Sequence, residues 1–385
     1  MFPDSKRWHL ITGEYPPAVG GVAAFSREIA DGLADAGRDV HVWCPAPAAA
    51  APPSKVTIHG VAGGWTRKGM HDVDRALERF AAPRRLFVQW VPHAFGARSI
   101  NIAFCRWLKR RAARGDTLQV MVHEPFLTFE HGPRQRAAAL VHRWMIKTLL
   151  AGASRIWMSI PAWQDRIARY TPDGVSPEWL PVPSSIAVVD DRDAVIAVQS
   201  ARLAPGTHVL AGHFGTFSRE TRPLLDTAIA RLLDGSAETT VVCFGRGSDD
   251  YVASSAIRGN RDRLASAGAL SDRDASLYLQ ACDIMIQPYI DGASARRTTL
   301  MAALAHGRAV VTTVGSLSEP WWTTTGNVVA VDVARPHSLG DAAVALAGDS
   351  TRRVGLGLCA RGFYEERFAL THAVRRLVAS EGSAP

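Results

Sequence analysis

The stretch from Asp283 to Thr313, DIMIQPYIDGASARRTTLMAALAHGRAVVTT, restricts the fold more tightly than any other part of the chain. Asp283 to Gln287 has the length and apolar content of a buried strand, and Pro288 to Arg297 reads as a loop. Thr298 to His306 forms a helix with Leu300 and Leu304 one turn apart, stopped by Gly307, and Ala309 to Thr313 is a second buried strand. Strand, helix and strand in about thirty residues make a βαβ unit. The start of its helix faces the carboxyl ends of parallel strands, where free N–H groups and the helix dipole favour an anion. Arg296 and Arg297 stand just ahead of that start, and two guanidinium groups there suit a phosphate or diphosphate better than a neutral ligand. The alternative is a solvated loop with two surface arginines.

The same alternation runs through the rest of the sequence. Trp8 to Thr12 is a strand, GEYPPAVGG a loop, and Val22 to Ala36 a helix whose Phe25, Ile29 and Leu33 share one face; Gly37 ends it and Val40 to Trp43 returns as a strand. Gly20 and Gly21, immediately before this helix, let a ligand approach the backbone closely or serve as a simple turn. Strands at Leu86 to Trp90 and Leu118 to Val122 run into VPHAFG and HEPF. His93 and His123 are therefore candidates for a site at strand ends, or else satisfied structural histidines. Ile156 to Ile160 and Trp179 to Ile186 complete the strands of the first half. Ala187 to Gly206, with Asp190, Asp191 and Asp193 and no sustained period, reads as a linker. A second series starts at His208. VLAGHFG is a strand, Arg222 to Leu233 a helix, Thr240 to Phe244 a strand, and Ser271 to Ala281 a helix leading into the Asp283 unit. Gly215, Thr216, Arg219 and Arg222 follow a strand of the same sheet as Arg296 and Arg297, which favours the diphosphate reading. A last strand is expected at Asn327 to Asp332 and a last helix from Arg361 to Ser380. Trp321 and Trp322 form either an exposed platform or ordinary packing.

A chain of 385 residues with 47% apolar and 21% charged content has room for two ordinary soluble domains. Cys44, Cys105, Cys243, Cys282 and Cys359 are widely spaced, without CxxC or Cys/His clustering, as expected of reduced, mostly buried thiols in a cytoplasmic protein. No apolar run suggests a signal peptide or a membrane span. The net charge of +8 is compatible with an anionic small ligand, an anionic membrane surface or nucleic acid. Lys109, Arg110, Arg111 and Arg114, on an amphipathic helix beginning near Ser99, read as a solvated helix end, with peripheral membrane contact as the second reading. Nucleic acid is not expected, because no binding motif accompanies the charge. Asp190-Asp191 and Asp249-Asp250 read as solvated charge, so no metal site is expected.

EYPPAVGGVAAFSREIADGLADAGRDVHVWCP, LSDRDASLYLQACDIMIQPY, MAALAHGRAVVTT and SEPWWTTTGNVVAVD together resemble the GT-B glycosyltransferases of the large retaining group called family 4, over essentially the whole chain. The resemblance implies an α/β protein of two facing Rossmann-like domains with parallel sheets and an interdomain cleft. Residues 1–190, completed by a helix at about 365–385, would hold the acceptor, and residues 191–364 a nucleotide-diphosphate sugar, used as co-substrate without a further cofactor. Donor contacts would come from Gly20, Gly21, Gly215, Thr216, Ser294, Arg296, Arg297, Thr298 and Thr299. His123 would contact the donor sugar near the reacting carbon.

Two glutamates eight positions apart are usual in that family, and here Ser294 and Ala302 occupy their places. Its usual Arg and Lys fall near Thr216 and Thr221, leaving Arg219 and Arg222 as the cations expected to act on the leaving group with Arg296 and the Thr298 helix start. Glu14, Tyr15, His93 and Glu124 are the candidate acceptor contacts. The acceptor itself would be a glycan, lipid-linked or a natural-product small molecule. Two rival readings are a non-catalytic GT-B scaffold and a relative doing pseudo-glycosyl or epimerase-like chemistry on a nucleotide sugar.

Overall fold

The computed structural model describes residues 6–46, 55–96, 99–127, 133–257 and 259–382. In chain order these form β1 (Arg7–Thr12), α1 (Gly21–Asp35), β2 (Asp39–Pro45), β3 (Thr57–Val61), α2 (Arg67–Leu77), β4 (Arg85–Trp90), α3 (Ile102–Ala113) and β5 (Thr117–Val122). They continue with α4 (Pro133–Leu150), β6 (Arg155–Met158), α5 (Trp163–Ile167), β7 (Glu178–Trp179), α6 (Arg192–Arg202), β8 (Val209–Phe214), α7 (Arg222–Gly235) and β9 (Thr239–Phe244). The rest are α8 (Ser248–Ser254), β10 (Leu264–Ser266), α9 (Asp272–Ala281), β11 (Ile284–Gln287), α10 (Thr298–Ala305), β12 (Ala309–Val314), α11 (Trp321–Thr324), β13 (Val329–Asp332), α12 (Pro336–Ala347), α13 (Ser350–Arg367) and α14 (Leu370–Ala379).

The chain divides into two compact units, Met1–Val182 with Leu370–Pro385, and Pro183–Ala369. The first contains a parallel sheet of seven strands in the order β3-β2-β1-β4-β5-β6-β7. The second contains a parallel sheet of six in the order β10-β9-β8-β11-β12-β13. Helices cover both faces of such sheets, so the central strands must be apolar on both sides. RLFVQW of β4 and TTVVCF of β9 are buried nearly throughout.

In the first unit, Phe25, Ile29 and Leu33 of α1 pack with Trp8 and Leu10 of β1 and with Ala373 and Leu377 of α14. Gly32 gives α14 its seat, because an added Cβ would lie 2.7 Å from a methyl of Val374. Beyond α14, Glu381 accepts from Trp8 Nε1 at 2.8 Å and from Arg38 Nε and Nη2 at 3.0 Å each. In the second unit, Leu225, Ile229 and Leu232 of α7 and Leu339, Ala343 and Leu346 of α12 cover β8, β9 and β11.

Four local expectations are corrected. The segment from Ala187 to Gly206 is no bare linker, since it contains α6, capped by Asp191 Oδ1 accepting from the Ala194 N–H at 3.1 Å. No residue of α6 is buried, which explains why no apolar stripe reveals it. The strand expected from Trp179 to Ile186 is only Glu178–Trp179, because Pro181 and Pro183 bring no N–H to a ladder. The final helix is two helices, parted where Phe368 leaves the axis to stack on Trp322. Arg111 is not a solvated helix end: it is 2% exposed and ion-paired to Asp74 (3.4 Å) and Asp116. Its neighbours Lys109, Arg110 and Arg114 are exposed, and the helix starts at Ile102.

One face of the first sheet carries a stack of rings across three adjacent strands. His9 pairs in register with His41, and Trp43 with His59. The His9 and His41 rings stack at 5.3 Å, His41 and His59 at 5.2 Å, and Trp43 and His59 at 4.0 Å, with Phe80 edge-on to the first two. Burial lowers all three imidazoles, His9 to about 2 and His59 to about 4, while the Asp39 carboxylate opposes the shift at His41. The unfolded chain takes protons near pH 6.5 that the fold refuses, so the stabilisation is complete above that pH and is lost as pH falls. His9, 1% exposed, should alone subtract about 2 kcal/mol between pH 6.5 and roughly pH 5. Urea unfolding across that window should show the loss, with a shallower slope in His9→Leu. An unchanged slope in that variant would mean His9 is not held neutral.

Candidate functional site

The strand order places β8 between β9 and β11, so the chain leaves β8 and β11 in opposite directions over one edge and opens a crevice there. Two side chains tie these strand ends together. The His213 Nδ1–H donates to the Ile286 carbonyl at 2.7 Å, and Gln287 Nε2 donates to the Phe214 carbonyl at 3.2 Å. Burial pushes His213 down to about 4, so the imidazole is neutral near pH 7. Backbones then pass each other at distances only glycine tolerates. At Gly245 (φ +110) an added Cβ would collide with the Gly215 carbonyl, and at Gly292 (φ +89) with the Gly315 amide.

Gly215 and Thr216 begin the loop after β8, with Thr216 and Arg219 exposed. Arg222 is committed within its own domain: Nε donates to the Phe217 carbonyl at 3.1 Å, Nη1 to Ser254 Oγ at 3.3 Å, and the guanidinium lies 5.8 Å from the Tyr251 ring. It therefore fixes the shape of this loop.

The loop from β11 to α10 is laced to β12. Tyr289 N–H donates to Thr313 Oγ1 at 2.8 Å, Thr313 Oγ1 to the Tyr289 carbonyl at 2.6 Å, and Ala293 N–H to the Thr313 carbonyl at 2.7 Å. Asp291 accepts from Arg296 Nη2 at 2.7 Å and from Arg297 Nη2, so one carboxylate holds both guanidinium groups. Arg297 also lies 4.8 Å from the Tyr289 ring, and the Tyr289 hydroxyl pairs with Thr299 Oγ1 at 2.9 Å. The first turn of α10 carries no side-chain cap. Ser294 is fully buried, and its Oγ has no hydrogen-bond partner among the described residues. Ala302 faces the core at 1% exposure.

A residue not anticipated from the sequence, Glu319, anchors this loop from below. Its carboxylate oxygens accept from the Ala295 N–H at 3.1 and 3.2 Å, and Oε2 accepts from Trp322 Nε1 at 2.6 Å. Burial pushes its carboxyl up to about 7, against the pull of the two N–H donors and Arg296. The only signal in the sequence is an acid placed directly before Pro-Trp-Trp. Trp322 is 1% exposed and packs on Phe363 and Phe368, so it forms part of the core and not a sugar platform.

The first sheet has the matching switch point between β1 and β4. Gly13 meets Ala94 there, where a side chain would collide with the Ala94 carbonyl. Thr12 Oγ1 donates to the Glu14 carbonyl at 2.7 Å and so turns the chain out of β1. Gly20 is the N-cap of α1 and lies beside Glu14: an added Cβ would be 2.7 Å from its Oε2, whereas Gly21 faces open space. Tyr15 is buried, Glu124 half-buried and His93 exposed. His123, after β5, is 8% exposed and lowered by burial to about 3. Its Nε2 is 2.9 Å from Gln89 Oε1 and its ring is edge-on to Phe25 at 4.8 Å. A neutral imidazole of this kind can exchange hydrogen bonds with a ligand but is not a proton donor near pH 7.

The predicted residues thus fall into two sets at strand carboxyl ends. Gly215, Thr216 and Arg219 share one loop, with Arg222 opening α7 behind it, and Ser294 to Thr299 run from the adjacent loop into α10; Glu14, Tyr15, Gly20, Gly21, His93, His123 and Glu124 follow β1, β4 and β5. Among the described residues, no group of three or more His, Cys, Asp or Glu is placed to hold a metal ion, and no helix is long and apolar enough to cross a membrane.

If Glu319 holds the loop, Glu319→Ala should free the Ala295 amide and speed its hydrogen exchange by at least about tenfold, at a cost of about 1–3 kcal/mol in stability. Exchange at Ala295 unchanged from the parent protein would remove Glu319 from this role.

No protein-family profile and no curated protein sequence matches the chain. Solved structures do. Sucrose-phosphate synthase from Thermosynechococcus elongatus superposes with a TM-score of 0.75 at 13% identity, covering 97% of this chain and 98% of that one. HepE from Anabaena, in complex with UDP and glucose, gives 0.70 at 14% identity, covering 98% and 100%. WaaG, a glycosyltransferase involved in lipopolysaccharide biosynthesis, gives 0.66 at 16% identity, again covering 98% and 100%. With its two parallel Rossmann-like sheets, the chain has the fold of these GT-B glycosyltransferases.

Proposed function

We propose that this protein is a cytoplasmic glycosyltransferase of the retaining family 4 type, moving a sugar from a nucleotide-diphosphate sugar to a hydroxyl acceptor without a metal ion. The observation that carries the proposal is the start of α10, where two arginines gathered by one carboxylate stand before an uncapped helix N-terminus. Likeness to structures such as HepE with UDP and glucose supports the same reading.

Breaking a glycosyl phosphate bond leaves negative charge on a diphosphate and positive charge on the sugar. In this proposal the diphosphate competes with Asp291 for Arg296 and Arg297 and accepts from the N–H groups of Thr298 and Thr299. A well-placed donor at developing charge contributes about 3 kcal/mol, so these groups together would meet much of the leaving-group charge without a divalent ion. Arg219, exposed on the neighbouring loop, would add a further cation, whereas Arg222 acts by holding that loop. Gly20 and Gly21 would admit donor phosphate or sugar to the start of α1, and neutral His123 would hold a sugar hydroxyl. Glu14, Tyr15, His93 and Glu124 would contact the acceptor. The small Ser294, its hydroxyl unpartnered among the described residues, would stand where a carboxylate otherwise reaches the sugar. Ala302 leaves the ribose to other groups. That pair of replacements also favours a second reading, a binding protein that holds the nucleotide without turnover.

Incubation with a panel of nucleotide sugars, with and without alcohol acceptors, tests both by release of nucleoside diphosphate. Acceptor-dependent release is expected; tight binding without release would favour the second reading. Arg296→Ala with Arg297→Ala should weaken donor binding or turnover at least about tenfold. Parental kinetics in a folded double variant would place these arginines outside the site.

A further inference from the structure

Helices α2 and α3 of the first domain start from one corner. Asn101 caps α3 by accepting from the Phe104 N–H at 2.9 Å, and its amide donates to the carbonyls of Trp65 at 2.8 Å and Phe95 at 2.5 Å. Thr66 caps α2 by accepting from the Gly69 N–H at 3.3 Å. One asparagine therefore ties the starts of both helices together and sets the gap between them.

That gap is a groove of about 740 Å3. Arg67, Met70 and His71 line it from α2, and Arg106, Trp107 and Arg110 from α3. Met70 and His71 follow Arg67 at i+3 and i+4 on α2, and Arg110 follows Arg106 at i+4 on α3, so Arg67 and the Arg106–Arg110 pair each lie on the stripe that lines the gap. The carboxylate in the lining, Asp74, is already satisfied, accepting from Trp107 Nε1 at 2.7 Å and from Arg111 Nη1 at 3.4 Å. Arg67, Arg106 and Arg110 have no ion pair among the described residues, and the Arg106 guanidinium lies 4.9 Å from the centroid of the Trp144 ring. Three guanidinium groups and a histidine thus line a groove in which the one carboxylate among the described lining residues, Asp74, is already paired. Ile100, 41% exposed, extends the apolar rim toward a second crevice of about 430 Å3 at the ends of β2 and β4, which shares Arg67 and Asn101 with the groove.

We propose that this groove binds one molecule of a phosphate-bearing amphiphile, with the phosphate between Arg67, Arg106 and Arg110 and an apolar chain along Ile100, Ile102 and Ala103. The continuity with the crevice at the carboxyl edge of the sheet makes that amphiphile the acceptor, with its hydroxyl end directed toward the strand ends. This last step rests on the transferase reading above; the binding itself does not.

Isothermal titration of the full chain with octyl phosphate below its micelle concentration tests the groove, with octanol and inorganic phosphate as single-feature controls. Saturable binding is expected for octyl phosphate, at least about tenfold weaker for either control. Arg106→Ser with Arg110→Ser should weaken it by a similar factor in a protein whose thermal unfolding is unchanged. Ile100→Glu, at an exposed rim position, should do the same by placing an opposing charge beside the phosphate. Parental affinity in both variants, octanol binding as tightly as octyl phosphate, or binding to anionic vesicles with none to monomeric octyl phosphate would overturn the proposal. Uridine diphosphate binding, measured on the same samples, reports on the donor reading separately: its loss with octyl phosphate binding intact would leave the groove standing as an anion site.

Discussion

One carboxylate, Asp291, gathers two guanidinium groups that would otherwise repel each other, and the geometry at the start of α10 follows from that arrangement. Two positive charges and one negative leave the loop with a net positive charge beside the positive end of a helix dipole. The pairing is partly buried, so its charge-assisted hydrogen bonds, of order 1.5–3 kcal/mol each, are not screened away as they would be on an open surface. A dianionic ligand would offer the same groups more charge than Asp291 does, and the two guanidinium groups are already gathered in the structure. Glu319 holds the other side of the loop by its backbone, using a carboxyl that burial pushes up to about 7.

Both domains are built to the same plan. Each sheet starts in the middle and grows outward first to one side and then to the other, so a crevice opens beside the first strand. A close backbone crossing, Gly13 with Ala94, lies at the first crevice, and another, Gly215 with Gly245, packs the β8 loop against the β9 loop beside the second. The two differ in charge. The second crevice is flanked by Arg219, Arg222, Arg296 and Arg297, whereas the loop after β1 brings Glu14 against Gly20. That contrast suits a phosphate-rich ligand in the second domain and a hydroxyl-bearing one in the first.

The alternation of buried strands and amphipathic helices was legible because parallel strands covered on both faces must be apolar throughout, as in VLAGHF and AVVTTV. The α10 start was legible for the same reason: strand, loop, arginines and helix are contiguous in the chain. Edge strands were not, since Thr57–Val61 and Leu264–Ser266 are short and only partly buried. Helix α6 escaped notice because it buries nothing, and Arg111 because Asp74 is far away in the sequence and Asp116, though near, lies beyond the end of the helix. Arg222 could be placed near the site but not assigned its bonds to Phe217 and Ser254, which depend on how a loop folds back. Glu319 was invisible for a related reason: its contact with Ala295 crosses from one strand's loop to another's.

The most direct test is a two-dimensional amide spectrum of the isotope-labelled protein titrated with uridine diphosphate. If a pyrophosphate sits at the start of α10, the largest shifts will fall on Thr298, Thr299 and the neighbouring Arg297, with smaller ones at Gly215 and Thr216. Shifts confined to other helix starts, or no saturable change at these amides, would contradict the account.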